Sequence, residues 1–416
     1  MQTDTHVVPA NATRVAPDDE VFWAGIRAQY TVSPDFINLE HGYFSLQAQP
    51  VFEAFQRYQT QVNAESTFFM RQQFPMRLEE VRRALAVFCG VQADELLITR
   101  NVIESMNILL QGYPLVAGDA VVCAGHDYDR VLETLEMLQQ RKGVALQQIE
   151  VPLDPDSDAQ IVDCYAQAIT PRTRLMLVTH MVHRTGQILP VAQIAAMARS
   201  RGVDVVVDAA HSFAQLAFDF PSLNSDFIAV NLHKWLGAPL GVGLLYIRKA
   251  RIGDIAPLFG SARTAKGSIA KLGQMGTVPP APILAVLDAI AFHNAIGAHN
   301  KQARLRYLSQ YWLAQVRGLP QFKLLTPRDP ARSCAIVAFC IEGLPAHAVA
   351  AWLLAQQRVF TVVVDIHATQ GVRVTPHMLT NTQELDVLVA GIRRLCAMEP
   401  AAMLTGLSSA SETPPR

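Results

Sequence analysis

Val203-Asp204-Val205-Val206-Val207-Asp208-Ala209-Ala210-His211 is a short, mainly β-branched run that ends in an acid and a histidine. Phe227-Ile228-Ala229-Val230-Asn231-Leu232-His233-Lys234-Trp235 repeats the plan with a lysine at its end. Continuous rather than alternating apolarity indicates a strand buried on both faces, as in a parallel sheet covered by helices. Four more runs of this kind, at 95–99, 120–124, 175–179 and 242–247, alternate with helical patterns such as 192–201, which follows Pro190 and stops before Gly202. Together they predict an α/β architecture with a mostly parallel sheet.

Ligands of open α/β sheets bind beyond the carboxyl ends of the strands, so the residues that follow each run are the candidates. They are polar throughout: Thr99-Arg100-Asn101, Gly125-His126-Asp127-Tyr128, His180 to Gly186, Asp208 to His211, and Asn231 to Trp235. Asp208 alone would serve equally well as a helix cap. At the end of a buried strand, however, a carboxylate needs a positive partner. Lys234, between His233 and Trp235, is placed for poor solvation, where an amine loses basicity and becomes a nucleophile. Pyridoxal phosphate would satisfy both groups, since it requires a lysine for its aldehyde, a carboxylate for its ring nitrogen and donors for its phosphate.

The run from Asn231 to Gly243, with Asp208-Ala209-Ala210-His211 upstream, resembles the class V aminotransferase family of fold type I pyridoxal phosphate enzymes, and within it the isopenicillin N epimerase-like branch. The resemblance extends through Ile37 to Gly42, Phe68 to Arg71 and Gly371-Val372-Arg373-Val374-Thr375-Pro376. It implies a large domain with a mostly parallel, seven-stranded type of sheet, a smaller C-terminal α+β domain, and a homodimer with shared sites.

By resemblance, Lys234 is the lysine that bonds the cofactor, Asp208 the acid on the ring nitrogen, and His211 the group beside the ring hydroxyl. Asn101, Val102 and Ile103 open a helix whose first amides suit a phosphate, and Asn231 and His233 match further phosphate contacts. Tyr128 matches the residue stacked on the ring, with His126 as the alternative. Arg373 matches the clamp on the substrate α-carboxylate, His183 falls in the substrate-recognition segment, and Gly276-Thr277 match a pair reaching the phosphate of the neighbouring subunit. Two departures stand out: Ile103 replaces a frequent threonine, and Val182-His183-Arg184 replaces a segment in which many relatives carry asparagine.

The resemblance implies chemistry at Cα of an amino acid, with epimerisation or racemisation first. C–S β-elimination and cyclisation of an amino acid are the alternatives, and transamination comes behind them. Desulfuration would require a cysteine on the loop ahead of Arg373, and residues 358–365 contain none. A regulator that binds the cofactor without catalysis would be expected to carry a helix-turn-helix extension or a basic segment, which the chain lacks.

Composition bounds the remainder. With 35 basic and 36 acidic residues and no basic run, a nucleic acid is not the expected partner. The six cysteines are scattered without metal-site spacing, which predicts reduced thiols and no metal. No apolar stretch approaches a membrane span, and Asp4, Asp18, Asp19 and Glu20 stand where an export signal would be basic and then apolar, so the expected compartment is the cytoplasm. The expected organisation is a mobile arm over 1–20, a segment joining the small domain over 21–48, the large domain over 49–282, the small domain with an interdomain helix over 283–400, and a disordered tail over 401–416. Within the small domain the pattern predicts one long helical stretch over 283–316, strands over 335–341 and 360–365, and a last helix over 382–398.

Overall fold

The computed structural model describes residues 13–366 and 368–398. Seven strands form the large sheet: Leu96–Thr99 (β1), Ala120–Ala124 (β2), Ala145–Ile149 (β3), Thr173–Thr179 (β4), Asp204–Asp208 (β5), Phe227–Asn231 (β6) and Gly243–Ile247 (β7). Their order is β1-β7-β6-β5-β4-β2-β3, and only β7 pairs antiparallel with its neighbours.

Side chains of single strands feed two hydrophobic clusters. In β5, Val205 and Val207 join one cluster and Val206 the other, because successive Cβ atoms point to opposite faces. Burial on both faces is the reason the strands read as unbroken apolar runs. The sequence pattern missed β3, an edge strand whose residues range from exposed to partly buried. It carries Gln147 and Gln148 and has no apolar run to detect.

The C-terminal part carries a four-stranded antiparallel sheet of Phe322–Leu324 (β8), Val337–Ile341 (β9), Val362–Ile366 (β10) and Thr369–Val374 (β11), in the order β10-β11-β9-β8. Ile37–Asn38 pairs in parallel with Val359–Phe360, which ties the N-terminal segment to this part of the molecule.

Two expectations change. The stretch over 283–316 is not one helix: Pro280–Leu284, Val286–Ile296 and Ala298–Val316 succeed one another, with a 74° bend between the second and third. The bend sits at Gly297, whose φ of 88° is costly for residues with a side chain. The expected mobile arm also ends earlier within the described residues. Val15 N–H donates to Asn300 Oδ1, and Trp23 Nε1–H donates to the Ala16 carbonyl. Residues 1–12 and the expected tail over 401–416 lie outside the described residues. Among the described residues, no single helix is long and apolar enough to cross a membrane.

Candidate active site

The carboxyl ends of β1, β2, β4, β5 and β6 converge on a cavity of about 190 Å³. Its walls contain Asn101, Val102, Ile103, Tyr128, His183, Asp208, His211, Asn231, His233 and Lys234 from the sequence-derived set. They also contain Tyr43, Phe44, Thr179, Met181 and Ala210, which were not singled out. β7 enters the same edge from the opposite direction. A Cβ on Gly243 would lie 2.7 Å from the Asn101 Cα, so only glycine lets the phosphate-side turn settle on the sheet there.

Asp208 is 4% exposed, and its Oδ1 accepts from the Ala210 amide at 2.9 Å. Burial raises its pKa, and the Ala210 hydrogen bond and the Lys234 charge oppose that rise. Lys234 Nζ lies 2.9 Å from His211 Nε2. Desolvation lowers the Lys234 amine to about 8, against the opposing pull of Asp208. Burial, reinforced by the Lys234 charge, keeps His211 well below the ordinary histidine range. A buried acid and a weakly basic amine therefore face one enclosed space. This is the donor set that a pyridinium nitrogen and an aldehyde require.

At the phosphate end, Asn101 caps the Val102–Gly112 helix by accepting from the Glu104 amide at 2.9 Å. Asn231 Oδ1 accepts from the Val102 amide at 2.9 Å, so this amide and this side chain are engaged with each other. Of the first three helical amides, Ile103 is the one that no side chain caps among the described residues. His233 Nδ1 lies 3.0 Å from the Val242 carbonyl oxygen, which orients the ring, and burial lowers its pKa.

The Gly125–Tyr128 turn divides its side chains. Tyr128 lines the cavity, whereas His126 lies in a separate small chamber with Val151, Arg184 and Gln187. Tyr128 is the one of the two that borders the Lys234 cavity. Asp127, between them, is fully buried and accepts from the Ala124 amide and the Thr179 hydroxyl; desolvation raises its pKa to about 7. Gly276 and Thr277 are exposed and do not line the cavity of their own chain.

Arg373 also departs from expectation. It is 0% exposed and does not line the cavity wall. Nε and Nη2 donate to the Glu40 carboxylate at 3.1 and 2.7 Å, Nη1 donates to the His183 carbonyl at 2.6 Å, and the guanidinium lies 4.0 Å from the Tyr43 ring centroid. Three of its five N–H groups are used and its charge is compensated. No local signal links Glu40 to Arg373, which are 333 positions apart. Removing one partner of a buried pair strands the other charge, so Arg373→Ala should destabilise the fold by about 3–5 kcal/mol. Denaturant unfolding measures this, and a loss below about 1 kcal/mol would mean that the pair has little structural weight.

The family model described as Aminotransferase class-V matches residues 44–387. Isopenicillin N epimerase of Streptomyces clavuligerus is 28% identical over 390 residues, covering 90% of this chain and 98% of the relative. A cysteine desulfurase of Salmonella agona is 27% identical over 342 residues, covering 76% and 82%. Among solved structures, the cystine C–S lyase C-DES with its product cysteine persulfide aligns with a TM-score of 0.78 at 25% identity, covering 86% of this chain and 97% of that one. Most of the chain falls within one family model: the protein belongs to the class V aminotransferase family of fold type I, pyridoxal phosphate-dependent enzymes.

Proposed function

We propose that this enzyme inverts the configuration at Cα of an amino-acid substrate. The observation that carries the reading is the make-up of the cavity wall: Lys234 and several imidazoles reach it, and none of the six cysteines does. A desulfurase needs a thiol that can reach the substrate sulfur, and residues 358–365 supply none. Both curated relatives named above fit the family chemistry, and the epimerase covers more of the chain.

Pyridoxal phosphate, when bound, supplies an electron sink for the pair released at Cα. Lys234 would hold its aldehyde and supply the base, since an amine near 8 both takes and returns protons at neutral pH. Asp208 keeps the ring nitrogen protonated, and His211 holds the lysine amine in place. Ile103, with Asn101, Val102, Asn231 and His233 around it, receives the phosphate, while Tyr128 covers the ring. The resemblance assigns Arg373 to the α-carboxylate, and in this reading its guanidinium would have to exchange Glu40 for the substrate to take that role.

The enzyme acts as a homodimer in this reading, with Thr277 of a second copy completing the phosphate site that Ile103 leaves short of a hydroxyl. Its exposure in the single chain supports that role. Sedimentation should give a dimer, and a monomer that retains full activity would remove the shared-site assignment.

The test incubates the holoenzyme in D₂O with L- and D-amino acids, dipeptides and S-conjugates of cysteine. Inversion accompanied by deuterium at Cα is expected. The similarity to a C–S lyase favours a second reading, β-elimination. Pyruvate and a released thiol without inversion would establish that reading instead.

A further inference from the structure

His183 stands where two chambers meet. It lines the cavity that holds Lys234 and Asp208, and also an outer chamber of about 410 Å³ bounded by Tyr43, Asp129 and Arg184. Its carbonyl is held by Arg373 Nη1. Three residues on, Gly186 has a φ of 73°, and a Cβ there would lie 2.1 Å from the Ile336 carbonyl oxygen. The loop is pinned at His183 itself and again three residues on, which restricts the positions the ring can take.

The ring belongs to a row. Its centroid is 6.3 Å from that of His211 with the planes 20° apart, and 5.2 Å from that of Tyr128 at 89°. His211 in turn touches Lys234 Nζ. His183 thus approaches His211 over its ring face, and Lys234 approaches it at the Nε2 edge. His183 Nδ1 is buried and has no hydrogen-bond partner among the described residues. An orphaned polar atom in a native site calls for a ligand, a water or a chemical role.

We propose that His183 is the second proton carrier, exchanging a proton with Cα from the side opposite Lys234; this rests on the epimerase reading above. For one enantiomer, the Cα–H bond breaks toward the neutral His183 imidazole, and a new Cα–H bond forms with a proton from the Lys234 ammonium. For its mirror image the two groups exchange roles. The substrate keeps its composition, and one proton passes between the two protein groups through solvent to restore the starting state.

The protonation states suit this division. Burial, with the Arg373, Arg184 and Lys234 charges, keeps His183 well below its ordinary range, so it begins as an acceptor. Tyr128 is a poorer acceptor near neutral pH, because burial raises its pKa. His211 contacts Lys234 itself and is engaged with that first proton carrier.

The test compares wild type with His183→Asn and His183→Gln as holoenzymes in D₂O, using the same panel and recording cofactor absorbance and circular dichroism to verify folding. Both variants should lose inversion by roughly 10²-fold or more. One enantiomer, the one deprotonated by Lys234, should still exchange its Cα proton for deuterium with retention. Inversion at the wild-type rate in either folded variant overturns the role of His183 and leaves the epimerase reading intact. Equal loss of exchange and inversion overturns it too, by making His183 only a shaper of the site. A wild type that neither exchanges nor inverts any panel member defeats both readings.

Discussion

Lys234→Ala should abolish turnover, lowering Cα proton exchange by roughly 10³-fold or more, because it removes both the amine that bonds the cofactor and the base beside Cα. The physical basis is the setting of the amine. Lys234 sits at the carboxyl end of β6, 2.9 Å from His211 Nε2, and desolvation holds it near 8. An exposed lysine would be protonated at neutral pH and inert as a nucleophile. The chemical test is independent of substrate: borohydride treatment of the wild-type holoenzyme should leave a pyridoxyl phosphate mass on the peptide containing Lys234. The same treatment of Lys234→Ala should leave none. A reduced adduct on any other lysine would overturn the assignment, whatever the activities show.

Asp208→Asn is expected to separate chemistry from binding. The carboxylate is 4% exposed and accepts from the Ala210 amide. A charge-assisted hydrogen bond to a ring nitrogen is worth roughly 1.5–3 kcal/mol. The positive ring matters most when electrons are released at Cα, so Cα exchange should slow by about 10- to 150-fold. Cofactor retention, followed by dialysis and absorbance, should change far less, because the phosphate and the lysine bond hold it as well. Equal effects on both measurements would reduce Asp208 to a structural anchor.

The parts of the site that could be read along the chain are those in which one strand delivers one group. Asp208, Asn231, His233 and Lys234 follow apolar runs directly, and a polar residue at the end of a doubly buried strand announces itself by its cost. Tyr43 and Phe44 gave no such signal, since they follow a two-residue strand, Ile37–Asn38, that is paired with Val359–Phe360 more than 300 positions later. The separation of His126 from Tyr128 was likewise not local. Two residues in one turn separate into different chambers according to how the turn packs on β4 through the Asp127–Thr179 hydrogen bond.

The sequence by itself determined the α/β sheet, the convergence of polar strand ends and the placement of Asp208 and Lys234 at two of those ends, because strand burial and charge desolvation act over a few adjacent residues. Tertiary structure alone decided that Arg373 lies locked against Glu40, that the helical stretch after Pro280 turns through 74° at Gly297, and that His183 stacks beside His211. Each of these depends on contacts between segments distant in the chain, or on the direction a helix takes after a break. Hydrophobic periodicity carries no information about either.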